Sequence, residues 1–203
     1  MPASKKVTRD DIINAALDVL RERGFSAVNA RSVAKKLGCS TQPIYFSFAN
    51  MDELKTELTK RAVDEHVGRV IAAIRSNDGT RSHYSDYGIG FIHFAMQEKQ
   101  LFRWLYLEDG QIGKKELDVL LPEIIKTIVD EYGYPEQTAR LFHRDMAIFA
   151  YGLAILLNTD TLSLSEYEIE KHLARNFRSL TSLYGEPPIQ RNYTKYKEME
   201  QEN

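Results

Sequence analysis

Residues 38–48 read GCSTQPIYFSF, an order typical of a short helix that begins just after a turn. A glycine and a cysteine are followed by three polar residues, then by a proline, an isoleucine and a segment with three aromatic residues. We predict that Ser40 caps the helix and that Pro43 lies in its first turn, where a backbone N–H has no intrahelical partner to lose. The proline stiffens the start of the helix, so the neighbouring Thr41 and Gln42 are expected to point outward.

Two predicted helices precede this segment. Thr8 is expected to cap the first, which ends before Gly24, and Asn29 to cap a second over residues 30–37, which Gly38 ends. Two helices joined by a tight, glycine-containing turn form a helix-turn-helix, whose second helix lies in the major groove of DNA. The N-terminal region is therefore predicted to be a three-helix DNA-binding domain.

The polar residues at the start of the third helix are the candidate base readers. A glutamine such as Gln42 pairs with adenine, and a threonine such as Thr41 can bond several base edges or touch a thymine methyl group. Ile44 and Phe48, four positions apart, are expected to dock the helix on the first two. The side chains between them suit contacts with phosphate or sugar: Tyr45, Phe46 and Ser47. The alternative is that the aromatic residues are all core and that Thr41 and Gln42 only face solvent.

The charge of the chain is unevenly distributed. The 203 residues are 43% hydrophobic and 28% charged, with a net charge of -2, so neither disorder nor polycationic behaviour is expected. Residues 1–50 carry eight Lys and Arg against four acids, which gives +4 and leaves -6 for the remainder. A basic N-terminal region beside an acidic body suggests that the N-terminal region meets a polyanion.

The rest of the chain is predicted to be helical as well. Apolar residues recur three and four positions apart, and no alternating run rich in Val, Ile and Thr occurs, so the fold class is all-α. We divide the chain into a helix-turn-helix domain over residues 1–50, a larger helical effector-binding and dimerisation domain over residues 51–185, and a polar C-terminal tail over residues 186–203. Helices in the larger domain are placed at residues 52–75, 84–97, 99–108, 114–132, 136–158 and 165–184.

Two of these helices suggest a homodimer. The helix over residues 136–158 is apolar nearly all round, and the helix over residues 165–184 is apolar along one face. A helix that is apolar on every side needs cover on every side. A second copy of the same two helices provides that cover in a four-helix interface about a two-fold axis. The alternative is that one subunit buries both helices.

Aromatic residues are dense in the larger domain and suggest a pocket for a small hydrophobic or amphipathic effector. Ordinary core packing is the alternative for each ring. The candidate ligand-binding residues are Phe91, Phe94, Trp104, Tyr106, His143, Phe149 and Tyr151. The histidines and Cys39 show no spacing typical of a zinc site, and no phosphate loop or nucleophile turn occurs. We therefore expect no metal, no cofactor and no catalytic residues.

Residues 8–58 resemble the DNA-binding region of the TetR family of transcriptional regulators. The resemblance lies in an amphipathic helix ending in Gly24-Phe25, in the stretch RSVAKKLGCS, and in the Tyr45-x-x-Phe48 pair before DEL. It implies that Arg31 approaches bases or phosphates alongside Thr41, Gln42 and Tyr45. Met51 departs from the family pattern, which usually has a lysine there to contact the DNA backbone. Lys55 could replace that contact, or an N-terminal arm with Lys5, Lys6 and Arg9 could add others.

The resemblance also implies a function. It is that of a homodimeric regulator that binds a palindromic operator in double-stranded DNA, usually as a repressor, and releases it when an effector binds. The lone Cys39 and the lack of an apolar leader predict a cytoplasmic protein. The longest apolar stretch, residues 146–157, is shorter than the roughly 20 residues that cross a bilayer, so no membrane is expected as a partner. Two alternatives are a helical interaction adaptor and an all-α enzyme whose helix-turn-helix lobe does not bind DNA.

Overall fold

The computed structural model describes residues 7–75, 79–108 and 111–190. Every regular element within those ranges is helical, which confirms the all-α prediction. A 3₁₀ turn, Phe25–Ala27, follows the first helix, and α6 continues into a π-helix, Arg103–Glu108. The α-helices are α1 (Arg9–Arg23), α2 (Ala30–Leu37), α3 (Gln42–Ser47), α4 (Met51–Arg75), α5 (His83–Gln97), α6 (Lys99–Phe102), α7 (Gln111–Tyr132), α8 (Glu136–Asn158) and α9 (Glu166–Tyr184).

The chain forms two compact units. Of the described residues, the N-terminal unit contains 7–66, 98–108 and 111–112, and the C-terminal unit contains 67–75, 79–97 and 113–190. Helix α4 contributes residues to both units. The domain boundaries placed at residues 50 and 185 from the sequence stay predictions.

The ends of α1 and α2 confirm the predicted capping residues. Thr8 accepts a hydrogen bond from the Asp11 backbone N–H at 3.1 Å and donates its own N–H to the Asp11 carboxylate at 2.9 Å. Asn29 Oδ1 accepts from the backbone N–H groups of Arg31 and Ser32. Gly38 ends α2 in the left-handed conformation, with φ 69° and ψ 30°, which an L side chain adopts at a cost.

The predicted cap of α3 is wrong. Thr41 rather than Ser40 occupies the N-cap position, and Thr41 makes no side-chain capping bond. The reason lies in the first turn: Pro43 is the second helical residue and has no N–H, and the Ile44 N–H donates to the Thr41 carbonyl at 3.1 Å. A capping side chain normally accepts from the N–H of the second or third helical residue, and for a cap at Ser40 the third would be Pro43, which has no N–H.

The N-terminal unit is built around a small apolar core from α1 to α4. Its most deeply buried side chains belong to Ile12, Ala16, Leu20, Val33, Ile44, Leu54 and Leu58. The π-helix adds Trp104, whose ring stacks on Phe25 at 4.6 Å between centroids. Residues far from the helix-turn-helix in sequence are therefore part of the same unit.

The C-terminal unit packs α5, α7, α8 and α9 around a cluster of rings. Phe142 of α8 is completely buried and lies 5.5 Å from Tyr134 and 5.1 Å from Phe177, measured between ring centroids. The Asn158 amide donates to the Ala95 carbonyl at 2.8 Å and ties the end of α8 to α5. The apolar face predicted for α9 turns inward at Ile169 and Leu173, where it packs inside the unit.

Residues after α9 pack on the turn between α7 and α8. The Ile189 N–H donates to the Tyr132 carbonyl at 3.0 Å, and the Tyr134 hydroxyl donates to the Gly185 carbonyl at 2.6 Å. A Cβ on Gly133, whose φ is +73°, would lie 2.9 Å from the Ile189 side chain. The predicted polar tail therefore begins as a packed segment, and residues 191–203 lie outside the described residues. Each described helix is too short or too polar to span a lipid bilayer.

Candidate nucleic-acid interface and ligand pocket

Helix α3 divides into buried anchors and exposed side chains. Ile44 and Phe48 are 1% and 2% exposed, which confirms that they dock the helix on its neighbours. Tyr45 and Phe46 are 57% and 81% exposed, and Gln42 is exposed as well. The alternative that the aromatic residues are all core is therefore wrong for Tyr45 and Phe46.

A single arginine fixes the end of α3 against the start of α4. The Arg9 guanidinium donates to the Ser47 carbonyl at 2.5 Å and to Glu53 Oε1 at 2.8 Å, and lies 4.0 Å from the centre of the Phe48 ring. The Ala49 N–H donates to Glu53, and this bond, followed by the one from Arg9, lowers the pKa of Glu53. Arg9 is thus engaged inside the unit. Lys5 and Lys6, the other residues of the predicted arm, lie outside the described residues.

The remaining predicted DNA-contacting residues lie in the N-terminal unit too. Arg31, on the first turn of α2, and Ser40, in the turn before α3, are exposed, whereas Thr41 and Ser47 are half-buried. The Lys55 ammonium lies 5.2 Å from the centre of the Phe25 ring. The exposed members of the predicted set thus lie on α2, on α3 and in the turn between them: Arg31, Ser40, Gln42, Tyr45 and Phe46. Lys55 stands apart as a half-buried residue of α4.

A pocket lies inside the C-terminal unit. It has about 740 Å³ of space that atoms do not fill, its opening to solvent included. Residues of α5, α8 and α9 form most of its wall, and Tyr132 of α7 completes it. Its lining comprises Arg81, Tyr84, Ser85, Tyr87, Gly88, Ile89, Phe91, Tyr132, His143, Met146, Ala147, Ala150, Tyr151, Glu170, Leu173, Ala174 and Phe177.

The pocket contains three of the seven candidate ligand-binding residues: Phe91, His143 and Tyr151. Phe94 and Phe149 belong to the same unit but do not line the pocket. Trp104 and Tyr106 belong to the N-terminal unit, where Trp104 stacks on Phe25 and the Tyr106 hydroxyl lies 2.5 Å from His66 Nε2. These four residues are therefore not part of the pocket lining. Aromatic density along a sequence does not tell which unit a ring joins.

The polar groups of the pocket are paired with one another. The Tyr84 hydroxyl lies 3.1 Å from His143 Nδ1, and burial raises the pKa of Tyr84 well above its usual value, so this hydroxyl stays protonated. Arg81 forms an ion pair with Glu170 and lies 3.7 Å from Asp86. Apart from these polar groups, the walls of the pocket are mainly apolar and aromatic. The ring centroids of Phe91 and Tyr151 are 4.8 Å apart.

The sequence analysis missed the α9 wall of the pocket. Glu170, Leu173, Ala174 and Phe177 recur at spacings of three and four, so the helical period could have placed them on one face. Arg81 lies just before α5, between the helices predicted at residues 52–75 and 84–97. No cluster of His, Cys, Asp and Glu that could hold a metal ion occurs among the described residues.

Comparison with known proteins identifies the N-terminal region. Residues 12–58 match the family model for bacterial regulatory proteins of the tetR family. The chain is 33% identical over 92 residues to the HTH-type transcriptional regulator AlkX of Mycobacterium tuberculosis, which is 45% of this chain and 43% of that protein. It is 27% identical over 101 residues to the HTH-type transcriptional activator FasR of Mycolicibacterium smegmatis, 50% of this chain and 46% of that one.

The chain thus spans less than half the length of these two curated relatives. A solved structure of a TetR-like transcriptional regulator from Rhodococcus sp. RHA1 has a similar fold, with a TM-score of 0.59 at 16% identity, over 90% of this chain and all of that one. Both curated relatives are named as transcriptional regulators, so neither an adaptor nor an enzyme is favoured.

Proposed function

We propose that this chain, whose residues 12–58 match the family model for bacterial regulatory proteins of the tetR family, binds double-stranded DNA and regulates transcription. One observation carries the proposal: α3 is anchored through Ile44 and Phe48 while Gln42, Tyr45 and Phe46 remain exposed. A short helix that is anchored by buried apolar residues on one side and exposes polar and aromatic residues on the other suits insertion into a major groove. The protein acts in the cytoplasm without an enzymatic step.

The exposed residues have separate roles on the operator. Gln42 and Thr41 read base edges, and Tyr45, Phe46 and Ser47 contact bases, sugar or phosphate beside them. Arg31 supplies contacts from the first turn of α2, and Ser40 supplies them from the turn before α3. Lys55 contributes only if its ammonium leaves the Phe25 ring, so it is the weakest of these assignments.

The operator is a palindrome read by a homodimer. Leu141, Ile148 and Leu156 form an exposed apolar stripe along α8, and Leu183 is exposed near the end of α9. Ile148 is 67% exposed, and covering it with a second copy removes apolar surface from water. The helices near residues 136–158 and 165–184 are accordingly the dimer interface, with the same patch on both subunits.

The pocket holds a small hydrophobic or amphipathic effector whose binding releases the operator, and the protein acts as a repressor while it is bound to the operator. Aromatic and aliphatic walls with a few polar groups are typical of small-molecule sites. Release needs only an effector that prefers the conformation with lower operator affinity. A preference of about 1 to 3 kcal/mol changes that affinity by about 5- to 150-fold.

Electrophoretic mobility shifts with genomic fragments at two salt concentrations test the DNA-binding proposal. We expect one fragment to be preferred and its affinity to fall steeply with salt, because phosphate contacts release counterions. Light scattering on the same sample checks for the dimer. The proposal would be refuted if the protein were strictly monomeric and did not bind duplex DNA at low ionic strength.

The effector site is tested by filling the pocket. Ala147 lines it, so Ala147→Leu is expected to abolish the thermal stabilisation produced by the best compound of a hydrophobic panel. Ala72→Leu is the matched control, because Ala72 is exposed on α4 and outside the pocket. Equal stabilisation of both variants would place the effector elsewhere.

A further inference from the structure

The recognition segment carries no cationic side chain. Residues 38–54 include no Lys or Arg and two acids, Asp52 and Glu53. Arg9 is bonded to Ser47 and Glu53, and Lys36 of α2 is paired with Glu22 and lies 3.8 Å from Asp18. Helix α3 therefore offers no cation of its own to phosphate, and its contacts with DNA come from uncharged side chains.

Phe46 is the most exposed large apolar side chain of the described residues, at 81%. It lies four positions after Gln42 on α3, so the two side chains share one face of the helix, about 6 Å apart. Stacked base pairs are about 3.4 Å apart along the axis. A glutamine and a phenylalanine at this separation reach base pairs about two steps apart at most.

The major groove offers one apolar group, the C5-methyl of thymine, and phenylalanine is a side chain that contacts it. Glutamine pairs with adenine through the N6 amino group and N7. Resting on the proposed operator binding, we infer that Gln42 and Phe46 together read A·T pairs in each half-site, Gln42 through adenine and Phe46 through the methyl group of a neighbouring thymine. Phe46 is thus a specificity residue, and the half-site has a thymine whose methyl group contributes to affinity.

The test uses the full-length protein and duplexes selected from a library with a randomised core. Each thymine of the selected duplex is replaced by uracil, which removes the C5-methyl group and leaves the pairing edge intact. We expect one thymine of each half-site to be sensitive. Its loss weakens binding about four-fold, or about 15-fold when both half-sites are changed, as removal of one buried methyl group predicts. Fluorescence anisotropy measures the affinities.

Variants of Phe46 connect the methyl group to the side chain. In Phe46→Ala the sensitivity to uracil should disappear, because the contact is already lost, whereas Phe46→Leu should keep part of it. Phe46 is exposed, so both variants are expected to fold, and their thermal denaturation checks this. Gln42→Ala should keep the sensitivity to uracil while relaxing the choice of the adenine.

The outcomes separate this inference from the proposed function. If selection yields no preferred duplex, DNA binding itself fails. If a duplex is selected but no uracil substitution weakens binding more than about two-fold, or if Phe46→Ala remains as sensitive as the parent protein, the thymine contact is refuted. If Phe46→Ala instead dissociates the dimer seen by light scattering and leaves the uracil sensitivity intact, Phe46 is covered by a second copy and the inference is again overturned.

Discussion

Different kinds of interaction stabilise the interior of each of the two units. In the N-terminal unit, charged side chains join helices: Arg21 contacts Glu65 at 2.9 Å, and Arg61 bonds Asp10 at 2.8 Å and Asn14 at 2.9 Å. In the C-terminal unit, Phe142 lies within 6.4 Å of the rings of Tyr84, Tyr134, Phe177 and Tyr184, measured between centroids.

The difference fits the role proposed for each unit. Short helices bury little apolar surface, and directional bonds such as those of Arg9 fix the angle at which α3 is presented. Exposed ion pairs add little stability, so their value lies in geometry. Large rigid rings bury much surface but do not fill space completely, and a cavity can remain between them. One unit is suited to hold a surface in place, and the other to enclose a ligand.

The largest effect should come from the aromatic cluster. Phe142→Ala removes a fully buried ring and is expected to cost about 3–5 kcal/mol of unfolding free energy. Near-ultraviolet circular dichroism, dominated by the tyrosines, follows the loss during denaturation by urea. Tyr167→Ala, at an exposed position, is the control and should cost little. An equally small loss for both variants would mean that the cluster does not stabilise the unit.

The exposed stripe of α8 should give the next largest effect. Ile148→Ala is expected to weaken the dimer by about 3 kcal/mol, or about 150-fold, since a two-fold interface loses the side chain twice. Sedimentation equilibrium measures the dissociation constant. A dimer as tight as that of the parent protein would show that the copies meet through another surface.

The third largest effect should come from the residues proposed to read base edges. Gln42→Ala is expected to cost about 1 to 3 kcal/mol of operator affinity and to loosen sequence choice. Lys35→Ala, at an exposed position on α2, is the control and should weaken all sequences alike. The ratio of specific to non-specific affinity separates the two. Full selectivity in Gln42→Ala would remove Gln42 from the reading surface.

The smallest effect concerns pH. Hydrogen bonds from Ala49 and Arg9 lower the pKa of Glu53 below its ordinary 4.5. The stability that these bonds give to the folded state is therefore present above pH 4.5 and is lost as the pH falls through the folded-state pKa of Glu53. Glu53→Gln should therefore lose less stability than the parent protein between about pH 6 and about pH 3.

The fluorescence of Trp104, the only tryptophan of the chain and a member of the N-terminal unit, reports this transition. Glu57→Gln is the matched control variant, because the Glu57 carboxylate of the parent protein also lies near Arg9, at 3.9 Å. Parallel pH profiles for the parent and Glu53→Gln proteins would contradict the assigned role.

Particular residues explain which predictions from the sequence succeeded. Thr8, Asn29 and Gly38 act on backbone groups within a few positions of themselves, so their roles could be predicted without the rest of the fold. The predicted Ser40 cap was wrong, because the helix begins one residue later and Pro43 removes one of the two backbone donors that Ser40 could have bound. The Asn158 amide bonds to the carbonyl of Ala95, sixty-three positions away, a partner that no local pattern predicts.

The amino-acid sequence alone determined the helical class, the helix-turn-helix and the anchors of its third helix, because capping, helical period and turn geometry are local properties of the chain. Only the tertiary structure decided that Trp104 and Tyr106 join the N-terminal unit, that Arg9 holds α3 against α4, and that α9 completes the pocket. Those outcomes depend on contacts between residues distant in sequence, and no local pattern records them.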